Sequence, residues 1–147
     1  MYKHILIPTD GSAVAAKAVE AGIEFAREAH ARVTLFTAVP EYQLPGEGQI
    51  MARNFVTYTQ HERNSEKKAQ GVLAPAAERA RSRGVECATD YVQNDHPWRA
   101  IVEAASRHGC DAIFMGSHGR KGLAGLWYGS ETHEVLTHSS IPTVVYR

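Results

Sequence analysis

The chain alternates short apolar runs with longer segments in which apolar residues recur every three or four positions. The runs have the length of β-strands and fall at 4–7, 32–39, 85–92, 112–115 and 142–146. The segments between them have the spacing of helices that bury one side. Strands that alternate with helices pair in parallel through right-handed crossovers. We therefore predict an α/β fold, an open parallel sheet of five strands with helices on both faces.

Length and charge restrict the class of protein. With 147 residues, the chain has the size of one domain, and we expect a single domain over residues 1–147. Lysine plus arginine and aspartate plus glutamate each number 16, so the net charge is zero. A neutral chain has no overall field for nucleic acid or anionic membrane, and we expect neither as a partner. Its first apolar run is too short for a signal peptide and no stretch is long enough to span a membrane, which favours a cytoplasmic location.

Local signals predict where helices begin and end. Ser12 follows a turn cluster and is suited to cap a helix that begins at Ala13. Pro97 is placed to open a later helix. The apolar stripe from Ala69 to Ala80 contains Pro75. We expect that helix either to be kinked at the proline or to start later than the stripe suggests.

The segment 40–57 follows the second strand and has no clear period. It holds two prolines and two glycines, and connections of this length are uncommon in compact domains. The stretch Gly46-Glu47-Gly48 within it indicates only a turn. We expect this segment to be a mobile flap beside the ligand-binding edge.

A glycine-rich segment follows the fourth strand directly. Five glycines occur in the fifteen residues from Gly116 to Ser130. Glycines allow backbone N–H groups to turn inward and surround an anion. The segment leads into the last helix, whose N-terminus carries partial positive charge, and ligands bind at the C-terminal edge of such sheets. We predict a phosphate-binding loop that is neither a Walker A loop nor a dinucleotide fingerprint.

The spacing of Gly116, Gly119, Gly129 and Ser130 resembles a known pattern. It is the G-x2-G-x9-G-[S/T] motif of ATP-binding members of the universal stress protein family. The opening strand that ends in Pro-Thr-Asp-Gly-Ser, the run Met115 to Arg120 and the terminal Ile-Pro-Thr-Val-Val are also similar to that family. The resemblance covers essentially the whole chain.

The resemblance implies the strand order 3-2-1-4-5, with an adenine nucleotide (ATP, or ADP or AMP) across the C-terminal edge of the sheet. Three regions contribute contacts: the end of the first strand, the end of the second strand, and the glycine-rich loop with the start of the last helix. The residues expected at the nucleotide are Pro8, Thr9, Asp10, Val39, Met115, Gly116, His118, Gly119, Arg120, Gly129, Ser130 and Glu131.

Two of these residues carry carboxylates. Asp10 is placed to accept hydrogen bonds from ribose hydroxyls or to help hold nucleotide-bound Mg²⁺, although it also suits a simple turn before Gly11. Glu131 stands where the family usually has a small apolar residue. A carboxylate is favourable in the first turn of a helix, but it would repel phosphate if it pointed inward. The eight histidines lack the spacing of a zinc site.

The favoured function is a nucleotide-binding stress-response sensor or regulator. A slow ATPase using the same loop is one alternative, although no placed general base is visible. A dimeric interaction module with no nucleotide in the cell is another.

The terminal strand Pro142–Tyr146 is apolar, and no helix follows to cover it. As the last strand of the sheet it would present an unpaired edge. We expect a homodimer through this strand, with pairing centred on Val144 and Tyr146.

Overall fold

A computed structural model describes residues 1–117 and 129–147 of the chain. Its strands form one parallel sheet in the order β3-β2-β1-β4-β5. The strands are β1 (His4–Pro8), β2 (Arg32–Val39), β3 (Cys87–Gln93), β4 (Ala112–Gly116) and β5 (Thr143–Tyr146). The predicted parallel sheet and its strand order are confirmed.

Helices connect the strands and cover the sheet. In the described ranges they are α1 (Ala13–Ala29), α2 (Glu47–Met51), α3 (Tyr58–Ser82), α4 (Pro97–Arg107) and α5 (Gly129–His138). Within those same ranges, no helix combines the length and the apolar character needed to cross a membrane.

The core consists of two layers, one on each face of the sheet. Successive residues of a strand point to opposite faces. Ile5 and Ile7 accordingly face α1 and α3, whereas Leu6 faces α4 and α5 together with Phe36. All four side chains are fully buried. Burial on both faces explains why the central strands read as continuous apolar runs.

The structure corrects the predicted start of helix α3. It begins at Tyr58, well before the apolar stripe, and runs through Pro75. Thr57 caps it: its Oγ1 accepts from the N–H of Gln60 at 3.2 Å, and the Gln60 side chain accepts from the N–H of Thr57 at 3.0 Å. The first turns are mostly exposed, so no apolar stripe marks them. A reciprocal cap of this kind is the signal that starts the helix.

The segment 40–57 contains a helix that the sequence did not predict. Gly46 precedes α2, and the Gln49 side chain accepts from the N–H of Gly46 at 2.8 Å. All five residues of α2 are exposed, so burial leaves no periodic pattern in the sequence. The stretch Gly46-Glu47-Gly48 is thus the start of a helix rather than a turn alone.

Candidate functional site

A cleft lies at the C-terminal edge of the sheet, where the four strands β1 to β4 end. Its first part lies between the ends of β1 and β4 and the start of α1, where about 30 Å³ is accessible to a water-sized molecule. The lining residues are Pro8, Thr9, Asp10, Ser12, Val14, Ala15, Ala18, Met115, Gly116 and Ser117.

The second part of the cleft lies over the ends of β2 and β3, and about 240 Å³ of it is accessible to a water-sized molecule. It is lined by Asp10, Thr37, Ala38, Val39, Pro40, Lys68, Val72, Asn94, Asp95 and Pro97. Asp10 borders both parts and therefore stands at their junction.

The turn between β1 and α1 fixes the position of Asp10. The N–H of Thr9 donates to the carbonyl of Phe36 at 2.9 Å, which extends the pairing of β1 with β2. Asp10 Oδ1 accepts from the N–H of Ser12 at 2.9 Å. Ser12 Oγ in turn accepts from the N–H of Ala15 at 3.1 Å, which confirms the predicted cap. The carboxylate of Asp10 is thus held at the N-terminus of α1, where the helix dipole favours negative charge.

Space is limited at two glycines beside the cleft. Gly11 has φ +79°, and a Cβ there would lie 2.8 Å from Cγ2 of Val72 in α3. A Cβ at Gly116 would lie 3.0 Å from the Cβ of Ala18 in α1. Gly11 is therefore required by its backbone conformation and by the approach of α3, whereas a side chain at Gly116 would be tightly packed against α1.

The end of β4 is also joined to α5. The hydroxyl of Thr132 donates to the carbonyl of Gly116 at 3.0 Å, and Thr132 is buried. This bond places the first turn of α5 next to the first part of the cleft. Ser130, the second residue of the helix, is exposed.

Glu131 lies at the interface between α4 and α5. Its Oε2 accepts from the backbone N–H of Trp98 at 2.8 Å. His96, which precedes α4, makes no side-chain cap bond of its own. The carboxylate from α5 therefore caps α4, and it is directed at the N–H groups of that helix.

The structure brings together six of the residues expected at the nucleotide, from three strand ends: Pro8, Thr9, Asp10, Val39, Met115 and Gly116. Three more begin α5, namely Gly129, Ser130 and Glu131. The others, His118, Gly119 and Arg120, lie outside the described residues, so their contacts remain predictions.

Sequence reasoning missed three polar residues that line the cleft, Lys68, Asn94 and Asp95. The last two follow β3 directly. The rule that pointed to residues just past the other strand ends would have found them. No such signal marked Lys68, because the predicted apolar stripe of α3 begins at Ala69.

Asp95 connects the cleft to the segment 40–57. Its Oδ1 accepts from the N–H of Glu41 at 2.9 Å, and its Oδ2 accepts from the side-chain amide of Gln43 at 3.4 Å. Tyr42 adds a bond from its hydroxyl to the carbonyl of Val56 at 2.9 Å. The start of the segment is therefore bonded to the cleft, and its end is bonded to its start.

Potential metal ligands are not clustered in the described part of the chain. Among the residues that the structure describes, no group of three or more His, Cys, Asp or Glu side chains is arranged to hold a metal ion. Asp10 is the residue expected to help hold nucleotide-bound Mg²⁺, and that role remains a prediction.

Comparison with known proteins identifies the family of this chain. A family model described as the universal stress protein family matches residues 1–147. The chain belongs to the universal stress protein family. This confirms the resemblance seen in the glycine spacing and in the first and last strands. Universal stress protein YxiE of Bacillus subtilis is 30% identical in an alignment of 152 positions that covers 100% of each chain.

Solved structures of universal stress proteins share the fold. The one from Burkholderia pseudomallei has a TM-score of 0.74 and 25% identity, over 98% of this chain and 95% of that one. The one from Archaeoglobus fulgidus, solved in complex with dAMP, has a TM-score of 0.68 and 20% identity, over 99% of this chain and 98% of that one. At least one universal stress protein of this fold thus binds an adenine nucleotide.

Proposed function

We propose that this universal stress protein binds an adenine nucleotide, ATP or its products ADP and AMP, and acts as a stress-response sensor or regulator. The observation that carries the proposal is the cleft at the C-terminal edge of the sheet, with Asp10 at the junction of its two parts. Ligands of open parallel sheets bind at this edge. The dAMP complex of the structurally similar protein from Archaeoglobus fulgidus adds support for an adenine ligand.

The two parts of the cleft suit the two halves of a nucleotide. In the second part, Val39 is buried and apolar and provides a surface for the base. Asp10 at the junction accepts hydrogen bonds from ribose hydroxyls. We assign the phosphates to the first part, which Gly116 and Ser117 line; the amides of the Gly116–Ser130 loop and the N-terminus of α5 are the predicted donors.

The direct test is calorimetric titration of the purified chain with ATP, ADP, AMP and GTP. We expect micromolar to sub-millimolar dissociation constants for the adenine nucleotides and weaker binding of GTP. Gly119→Val should abolish binding, because a β-branched side chain obstructs the amides of the phosphate loop. Gly48→Val is the matched control, since a Cβ at Gly48 meets no atom within 4 Å.

Circular dichroism establishes that both variants are folded. A folded Gly119→Val protein with the wild-type affinity for ATP would contradict the loop assignment. A wild-type chain with no affinity for any adenine nucleotide would contradict the proposal as a whole.

The role of Asp10 toward Mg²⁺ is tested separately. Asp10→Asn keeps an oxygen that can accept from Ser12 but removes the negative charge. If the carboxylate helps to hold nucleotide-bound Mg²⁺, ATP binding by the variant loses its dependence on Mg²⁺. The same samples, assayed for ADP over hours, measure whether the protein hydrolyses ATP.

A further inference from the structure

Strand β2 carries two buried threonines whose hydroxyl groups differ in their surroundings. Thr34 and Thr37 are 1% and 2% exposed. Thr34 Oγ1 lies 2.7 Å from Nε2 of His4, so its hydroxyl is hydrogen-bonded inside the protein. Within residues 1–117 and 129–147, the hydroxyl of Thr37 has no such partner. Burial of a hydroxyl without a hydrogen bond is unfavourable, so packing alone would favour valine at position 37.

Thr37 lies where β2 meets the second part of the cleft, which it lines together with Val39 and Val72. In the described ranges, the fully enclosed side-chain atoms without a partner are His4 Nδ1 and Arg79 Nε. The Thr37 hydroxyl is not one of them, so it is accessible, and the cleft is the space that it borders. Because alternate residues of a strand share a face, Thr37 and Val39 point to the same side of the sheet.

The polar side chains that follow β3 at this end of the cleft are bonded to the protein. Asn94 Oδ1 accepts from the N–H of His96 at 2.8 Å. Both carboxylate oxygens of Asp95 accept from the segment 40–57. The hydroxyl of Thr37, by contrast, is available to a bound molecule. A few polar groups in a mostly apolar pocket fix the orientation of its ligand.

We infer that Thr37 is a specificity-determining residue whose hydroxyl hydrogen-bonds the edge of the adenine base. The inference rests on the proposed function and deepens it: Val39 supplies an apolar surface, and Thr37 supplies a polar contact on the same face of β2. A hydroxyl both donates and accepts, so it suits the exocyclic amino group and the ring nitrogens of adenine alike. Since the bond is to the base, it contributes equally to the binding of adenosine and AMP and nothing to that of ribose 5-phosphate.

The experiment compares AMP, adenosine and ribose 5-phosphate in calorimetric titrations of four proteins: wild type, Thr37→Val, Thr37→Ser and Thr34→Val. We expect Thr37→Val to lower the affinities for AMP and adenosine by the same factor, about three- to tenfold. Its affinity for ribose 5-phosphate should equal that of the wild type. Thr37→Ser should keep most of the AMP affinity because it keeps the hydroxyl. Thr34→Val is the matched control and should bind all three ligands as the wild type does, since Thr34 does not line the cleft.

Urea denaturation of the same proteins without ligand supplies a second readout. Thr37→Val should have a midpoint equal to or above that of the wild type, because a methyl group of similar size replaces an unpartnered hydroxyl. Thr34→Val should have a lower midpoint, because Nε2 of His4 loses its partner. The two substitutions should therefore have opposite effects: one lowers affinity without loss of stability, and the other lowers stability without loss of affinity.

Several outcomes would overturn the inference while the proposed function stands. Thr37→Val might bind AMP as tightly as the wild type, or lose affinity for ribose 5-phosphate by the same factor as for AMP. An AMP affinity of Thr37→Ser as low as that of Thr37→Val would assign the effect to shape rather than to the hydroxyl. A lower midpoint of Thr37→Val together with its lower affinity would make Thr37 a packing residue. Failure of the proposed function is distinguishable, because the wild-type chain would then bind neither AMP nor adenosine.

Discussion

Glu131 and Trp98 are joined by a hydrogen bond of 2.8 Å between a carboxylate oxygen and a backbone N–H. The bond links the first turn of α5 to the first turn of α4, across 33 positions of the chain. From the sequence, Glu131 would repel a phosphate if it pointed inward. In the structure its carboxylate is bonded to α4 instead. The family usually has a small apolar residue here, and this chain uses the position to cap a neighbouring helix.

Removal of this cap should lower stability. We expect Glu131→Ala to reduce the free energy of unfolding by about 1 kcal/mol, because N–H groups at the start of α4 lose their acceptor. Urea denaturation at neutral pH measures the change. Glu134→Ala is the control: Glu134 lies on the same helix and, among the described residues, its side chain forms an ion pair with the exposed His138 alone, so the loss of stability should be within about 0.5 kcal/mol. Equal losses of unfolding free energy in the two variants would show that the bond to Trp98 stabilises the protein no more than an exposed ion pair does.

Stability should decrease as the pH falls below the ordinary range of histidine. Burial, together with the nearby charges of Arg32 and His108, lowers the pKa of His4 below its usual 6.5 despite Asp111. Its Nε2 lies 2.7 Å from Thr34 Oγ1. The unfolded chain then binds a proton more readily than the folded one, so the contribution of His4 is present above about pH 6.5 and is lost as pH falls toward the folded pKa.

Denaturation at a series of pH values, with His4→Gln as the comparison, tests this relationship. The variant carries no titrating group at this position, so its stability should change less between pH 7 and 5 than that of the wild type. If the free energy of unfolding changed with pH in the same way in both proteins, the acid sensitivity would come from groups other than His4.

The carboxylate of Asp95 should control the order of the segment 40–57, whose mobility is still a prediction. Asp95→Ala removes the acceptor for the N–H of Glu41 and the amide of Gln43. We expect trypsin to cleave the variant after the exposed Arg53 several times faster than the wild type, because local opening becomes easier. Added ATP should slow cleavage of the wild type, since Asp95 also lines the cleft.

Glu41→Ala is the matched control for this experiment. The bond to Asp95 uses the backbone of Glu41 and not its side chain. Cleavage of Glu41→Ala at the wild-type rate is therefore expected. If Asp95→Ala were also cleaved at that rate, the hydrogen bonds of Asp95 would not order the segment.

The homodimer remains a prediction, but the register of β5 changes where its contacts should lie. The carbonyls of Pro142 and Tyr146 accept from Ile113 and Ser117, so these backbone groups face β4. Because backbone groups alternate in direction along a strand, those of Val145 face the open edge. The prediction that pairing centres on Val144 and Tyr146 is therefore wrong for the backbone hydrogen bonds. Thr143 and Val145 have the backbone groups that could bond to a partner strand.

Val145→Pro should consequently give a monomer that keeps its pairing with β4, as measured by light scattering with size-exclusion chromatography. Val144→Pro is the control, because it removes a donor that faces β4 and should lower stability instead. A wild-type chain that is monomeric at micromolar concentrations, or a folded Val145→Pro protein that still dimerises, would contradict the prediction.

The sequence predicted the elements whose signals are local or periodic. The strands, the cap at Ser12 and the helix opened by Pro97 all appear where expected. The start of α3 and the whole of α2 were missed, because most of their residues are exposed and leave no apolar stripe. At the cleft, residues that follow strand ends were predictable, whereas Lys68, which lies in the interior of a helix, was not.

The order of strands and helices along the chain, and with it the parallel sheet whose C-terminal edge carries the cleft, was determined by the sequence alone. Those features depend on periodicity and turn residues within a few positions of one another. Only the tertiary structure decided that Glu131 caps α4, that Lys68 rather than Lys67 lines the cleft, and that Asp95 holds the segment 40–57. Each of these depends on how two distant segments pack against the sheet, and the rotation and approach of a packed helix are set by side-chain volumes such as the missing Cβ of Gly11.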